Sequence, residues 1–173
     1  MVRIRRAVLG VAVGGLLTGL TGCTVAEGAV SGVTVTEDGR PIGMVMVCHR
    51  RIDGATLYTH DDASGTSGRI MGRWKHDGPL TGYAPLPLDG GDGWTPEQPL
   101  QPLEAGRTYT LYGWTEDNSS SASHVSFTLA DLAALTPGRV RYFVGAEYGG
   151  DADGLTTTSL EEFQAHACDN VGS

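Results

Sequence analysis

The chain has 173 residues, with 12 basic against 20 acidic side chains and a net charge of −8. Such a surface repels nucleic acid and anionic headgroups, which excludes a nucleic-acid-binding role. The length suits one domain with its own core.

Residues 1–22 read as a secretory signal peptide. Met1–Arg6 carries three arginines and no acid, and the apolar run Ala7–Leu20 follows directly. That run is shorter than the roughly 20 residues needed to span a bilayer. A basic start with a short apolar core is the layout of an export signal, its arginines held on the cytoplasmic side.

The run ends in Leu20-Thr21-Gly22-Cys23, which resembles the lipobox of bacterial lipoproteins: an aliphatic residue, two small residues and a cysteine. The resemblance implies that the Cys23 thiol receives a diacylglyceryl group and that cleavage leaves residues 23–173 as the mature chain. The protein would then be held by lipid at the extracytoplasmic face of the cell membrane, since two or more acyl chains anchor stably. The other reading is an ordinary secretory signal with a chance cysteine. Glycine is the commonest residue and Arg outnumbers Lys eleven to one, in the manner of actinobacterial lipoproteins. Loss of the signal removes three arginines and no acid, so the mature part is more acidic still.

Lipidation would consume Cys23 and leave Cys48 and Cys168, an even pair in an oxidising compartment. They point to a disulfide. A reactive thiol and a zinc site with His49 and His166 are the alternatives, opposed by the lack of a CxxC spacing and by the adjacent placement of Cys48 and His49.

Thr24–Ser31 is a small-residue linker, so the reading divides the chain into signal (1–22), lipidated Cys and linker (23–31) and β domain (32–173). From Gly32 the pattern alternates, and Asp38-Gly39 and Asp53-Gly54 are hairpin turns in which both residues take positive φ. The apolar run Ile42–Cys48 predicts a central strand covered on both faces. Strands follow at Ala55–His60 and Arg69–His76, the latter with Ile70, Gly72, Trp74 and His76 on one side. The Gly- and Pro-rich stretch 77–102 allows only an edge strand near Tyr83–Leu88.

Leu103-x-x-Gly106-x-x-Tyr109 resembles the tyrosine corner of fibronectin type III and immunoglobulin-like sandwiches, with Ala105 where that family often has Pro. The corner leads into a strand at Thr110–Trp114. Further strands are expected at Val125–Leu129 and Arg139–Gly145. Ala130–Leu135 predicts one or two helical turns, and the Ser159–Glu162 capping box a short helix to Ala167. The fold class is therefore mainly β: one immunoglobulin-like or fibronectin type III-like sandwich with a short helix near the C-terminus.

Chemical signatures are few. His60-Asp61-Asp62 is either a cation-binding cluster or a solvated turn. Asp151-Ala152-Asp153-Gly154 fails as an EF-hand, because Gly149 and Leu160 fall at ligand positions that need oxygen donors; a looser calcium turn is the alternative. There is no nucleophile elbow, P-loop, dinucleotide fingerprint or zinc-protease motif, and no cofactor or metal is implied. Trp94, on a Gly-Pro loop with Tyr83 nearby in sequence, either stacks on a partner or folds back over one end of the core. The residues thus point to a membrane-anchored lipoprotein with a non-enzymatic binding or structural role at the cell envelope, its partner a protein or a glycan. The alternative is a small envelope hydrolase using His60, His76 or His124 with an acid.

Overall fold

A computed structural model describes residues 25–59 and 68–172. Cys23 and the His60-Asp61-Asp62 cluster lie outside the described residues. The fold is mainly β, with a short helix close to the C-terminus.

Strands β1 (Glu27–Val35) and β2 (Pro41–Thr59) form a hairpin with Val35 opposite Pro41. Of the two turn residues expected at positive φ, only Gly39 takes it, at +79°. Gly39 N–H donates to the Thr36 carbonyl at 3.0 Å, and Thr36 N–H to the Arg40 carbonyl at 2.9 Å. This is an ordinary turn closed by a left-handed glycine, which lets an L-residue keep negative φ at position 38. Strand β1 also starts earlier than expected. Residues 27–31, assigned to the linker for their small side chains, belong to the sheet, and Ala29, Val30 and Ser31 are buried. Small residues are needed there because β1 is hemmed in by β2 and a later strand; a Cβ at Gly28 would come within 2.7 Å of Ser120 Oγ and 2.9 Å of Arg50 Cβ.

Ile42–Cys48 is covered on both faces, as its composition predicts: Val45 and Val47 join the main core, Met44 and Met46 a second cluster. Asp53-Gly54 is not a turn. The strand runs through it, with register breaks between Val47, Ile52 and Gly54. Two contacts hold this segment extended. The Asp53 carboxylate accepts the Glu116 N–H at 3.0 Å, and the Trp114 ring lies against Gly54, where a Cβ would overlap it.

Strand β3 (Arg69–Pro87) follows β2 along both halves, and β4 (Trp94–Gln98) pairs with its start. A break between Leu57 and Tyr58 in the ladder separates the face expected to be shared by Ile70 and Trp74. Trp74 is fully buried and Ile70 is 40% exposed. The edge strand expected near Tyr83–Leu88 is the second half of β3, with Pro85 and Pro87 where no further strand needs their missing N–H. But the stretch 77–102 holds more strand than expected: β3 runs unbroken through residues 77–82, and β4 lies wholly within it.

Strands β5 (Tyr109–Trp114), β6 (Ser121–Ser123) and β7 (Val125–Phe127) follow. The Tyr109 side chain is fully buried, and its hydroxyl accepts the Glu104 N–H at 2.6 Å and donates to the Glu104 carbonyl at 3.2 Å. β5 pairs with the second half of β2 and meets β6, and β6 runs parallel to β1. The ladder β1–β2–β5–β6 thereby closes on itself as a small barrel, with β3 and β4 extending from one side.

Helix α1 (Leu129–Ala134) is capped by Thr128 and Asp131. Strands β8 (Arg139–Phe143) and β9 (Leu155–Ser159) extend the sheet beyond β1. Helix α2 (Leu160–His166) has the expected Ser159–Glu162 capping box and buries Phe163. Phe163 and Ala167 cover Val30, Met44, Met46, Val140 and Tyr142 on the outside of the barrel. Cys168, just beyond the helix, is disulfide-bonded to Cys48, with Cα atoms 5.5 Å apart. The bridge thus fastens α2 onto the central strand and excludes the paired-cysteine zinc site.

Closing a loop across a sequence separation of 120 stabilises the fold by about 4–5 kcal/mol in the chain-entropy model. Reduction of the bridge should therefore lower the unfolding free energy by about 2–5 kcal/mol, measured from urea midpoints with and without reductant. The Thr158 hydroxyl, then the Ser159 N–H and hydroxyl, hold the Glu162 carboxyl at about 2, against its usual 4.5. A lowered carboxyl pKa contributes stability above its unfolded value that is lost as pH falls towards the folded one. The difference in urea midpoint between wild type and Glu162→Gln should hold above pH 4.5 and close between 4.5 and 2.

Candidate functional site

The structure separates the two aromatics proposed as a binding surface. Trp94 is 3% exposed, part of the main core. Its indole N–H donates to the Pro85 carbonyl at 2.9 Å, and its ring meets His76 edge-on at 5.1 Å. Pairing of His76 with Trp94 in the β3–β4 ladder turns the indole inwards, while the left-handed residues Gly90 to Gly93 absorb the reversal of the chain. Tyr83 belongs to the other cluster, beneath α2, and its hydroxyl donates to Met44 Sδ at 3.0 Å. Burial pushes the Tyr83 phenol pKa up. Trp94 therefore presents no stacking face, and of its two readings the fold-back onto the core holds.

The histidines are dispersed. His76 Nδ1 is 2.7 Å from the Gly78 carbonyl. His124 stacks on Phe143 at 5.6 Å and shares a cleft with Asp131. That carboxylate already accepts the Thr128 N–H and hydroxyl, at 2.7 and 2.8 Å, in the cap of α1. Asp151 is likewise engaged: Oδ1 accepts the Leu155 and Asp153 N–H groups at 2.9 and 3.0 Å. These bonds, the Leu155 one foremost, lower its pKa and close the β8–β9 loop. Among the described residues no three His, Cys, Asp or Glu side chains converge on a cation position.

A different surface gathers functional groups. With Tyr109 and Leu111 turned to the core, alternation along β5 sends Tyr112 and Trp114 to the outer face. Thr56 and Arg73 lie beside them, because Thr56 pairs with both Tyr112 and Arg73. The Trp114 indole N–H donates to Thr56 Oγ1 at 2.9 Å. The Arg73 guanidinium sits 3.9 Å above the Trp114 ring and forms an ion pair with Glu97 at 2.8 Å. Next to it, Lys75 pairs with Glu116 at 2.5 Å, which raises the lysine pKa. Tyr58 meets Tyr112 edge-on at 5.8 Å.

A surface cleft of about 650 Å³ opens here, lined by Val25, Arg73, Glu97, Tyr112, Trp114 and Ser120 among others. Every charge on its walls named above has a partner within the face. The period-two pattern Thr110-Leu111-Tyr112-Gly113-Trp114 carried the signal for this surface, once Tyr109 was set inward by its corner. The contribution of Arg73 and Glu97 depends on the ladder register through the break at Tyr58, which alternation alone does not supply.

Comparison of the chain with protein families, with curated proteins and with solved structures found no match. Among the described residues no helix is long and apolar enough to cross a membrane.

Trp94→Ala should act on the fold. It should lower the unfolding free energy by about 3–5 kcal/mol, the usual cost of emptying a buried tryptophan site, in a urea titration followed by circular dichroism.

Proposed function

We propose that the protein is a membrane-anchored lipoprotein of the extracytoplasmic face, tethered through Cys23, with a non-enzymatic binding role at the cell envelope. The observation that carries the binding role is the charge-paired aromatic cleft around Arg73, Tyr112 and Trp114. Val25 lines that cleft, and only Thr24 separates it from Cys23. A fully extended chain covers about 7 Å over two residues, so an acylated Cys23 would hold the cleft close to the bilayer. Its occupant would be met at the membrane surface. The disulfide between Cys48 and Cys168 supports an oxidising compartment.

For the fold, the two hydrogen bonds of Tyr109 support the immunoglobulin-like or fibronectin type III-like sandwich, here curled until its ladder closes.

The anchoring is tested by fractionating cells that express the full chain. Wild type should sediment with membranes, and Cys23→Ala should be released or accumulate unprocessed. Unchanged membrane retention of Cys23→Ala would contradict the proposal.

A further inference from the structure

We infer that the Arg73–Tyr112–Trp114 cleft binds an uncharged saccharide. The inference deepens the binding role proposed above and rests on it; it does not depend on the anchor.

The chemistry of the walls selects the ligand. Arg73 is paired with Glu97 and Lys75 with Glu116, so the cleft presents guanidinium donors and carboxylate acceptors without a net local charge. An anionic ligand would have to compete with Glu97 for Arg73, on a chain whose net charge is already −8. A cationic ligand would have to draw Glu97 or Glu116 from its partner. Hydroxyl groups can bond to both members of such pairs without separating them, because each carboxylate and guanidinium keeps free acceptor or donor positions.

The aromatic content points the same way. Arg73 already covers one face of Trp114, which leaves the half-buried Tyr112 ring as the apolar platform. A saccharide ring, apolar on its C–H faces and polar around its rim, matches an aromatic platform bordered by planar hydrogen-bonding groups. Asn118 and Ser121 add short polar side chains to the lining. The volume, about 650 Å³, lies within the range of small-molecule sites.

The test is calorimetric titration of the purified mature protein, in a detergent without a sugar headgroup. Maltotetraose, mannotetraose and tetra-N-acetylchitotetraose are the neutral probes and tetragalacturonate the acidic one. Saturable binding of at least one neutral probe is expected, insensitive to added salt and stronger than that of tetragalacturonate. Tyr112→Ala should weaken it at least tenfold, and Glu97→Gln, at the rim, should weaken it with the thermal unfolding midpoint preserved. Asp89→Asn, on a distant cavity, should leave it unchanged. Binding of no neutral probe, tighter binding of tetragalacturonate, or full affinity in both cleft variants would overturn the inference. If Tyr112→Ala does not fold, Glu97→Gln decides. Retention of wild type but not Glu97→Gln on washed envelope fragments, with no neutral saccharide bound, would remove the ligand class and leave the binding role standing.

Discussion

Strand β2 serves both halves of the domain, and the breaks in its register between Val47 and Gly54 are the constraint from which the other features follow. Its first half pairs with β1 and its second with β5. Val45 and Val47, then Ile52, then Ala55 and Leu57 all reach the main core. Strict alternation would turn Ile52 outward, so the extra residues around positions 48–54 are what bring it back. The same irregularity lets β5, β6 and β1 close the ladder. It also brings Gly54 beneath Trp114 and Asp53 to the Glu116 N–H.

The two outer faces are used differently. Beside the first half of β2, Met44, Met46 and Tyr142 are covered by α2, which is fastened by the disulfide and capped by Glu162. Beside the second half, no helix among the described residues lies on Thr56, Arg73, Tyr112 and Trp114. Aromatic rings there are screened by paired charges and hydrogen bonds, an arrangement that keeps the face soluble and open. One side of the sheet is closed by a helix, and the other carries the cleft and its paired charges.

Much of this was legible because it is local. Ile42–Cys48 could be read as doubly covered from composition alone, and the Tyr109 corner and the capping box of α2 are patterns of a few residues whose hydrogen bonds form within the pattern. The cysteine pair followed from counting. What was not legible depends on distant partners. Asp53-Gly54 has the chemistry of a turn, but Trp114 and Glu116, remote in sequence, hold it extended. Trp94 sits among glycines, yet the β3–β4 register carries it inward. Residues 27–31 look like a linker until β2 and β6 pair with them on either side. The cleft depends on the register of three strands across a break, so its members were individually visible in the sequence and collectively hidden.

The most direct measurement of this account is the near-ultraviolet circular dichroism and urea stability of Gly54→Ala. A Cβ at this position must displace the Trp114 ring. The account predicts a changed aromatic signal, a lower unfolding midpoint and loss of the Arg73–Trp114 stack, with the Cys48–Cys168 bridge still formed on the other side of the barrel. An unchanged aromatic spectrum and midpoint would contradict it, because the bulged strand would then not be what sets the outer face.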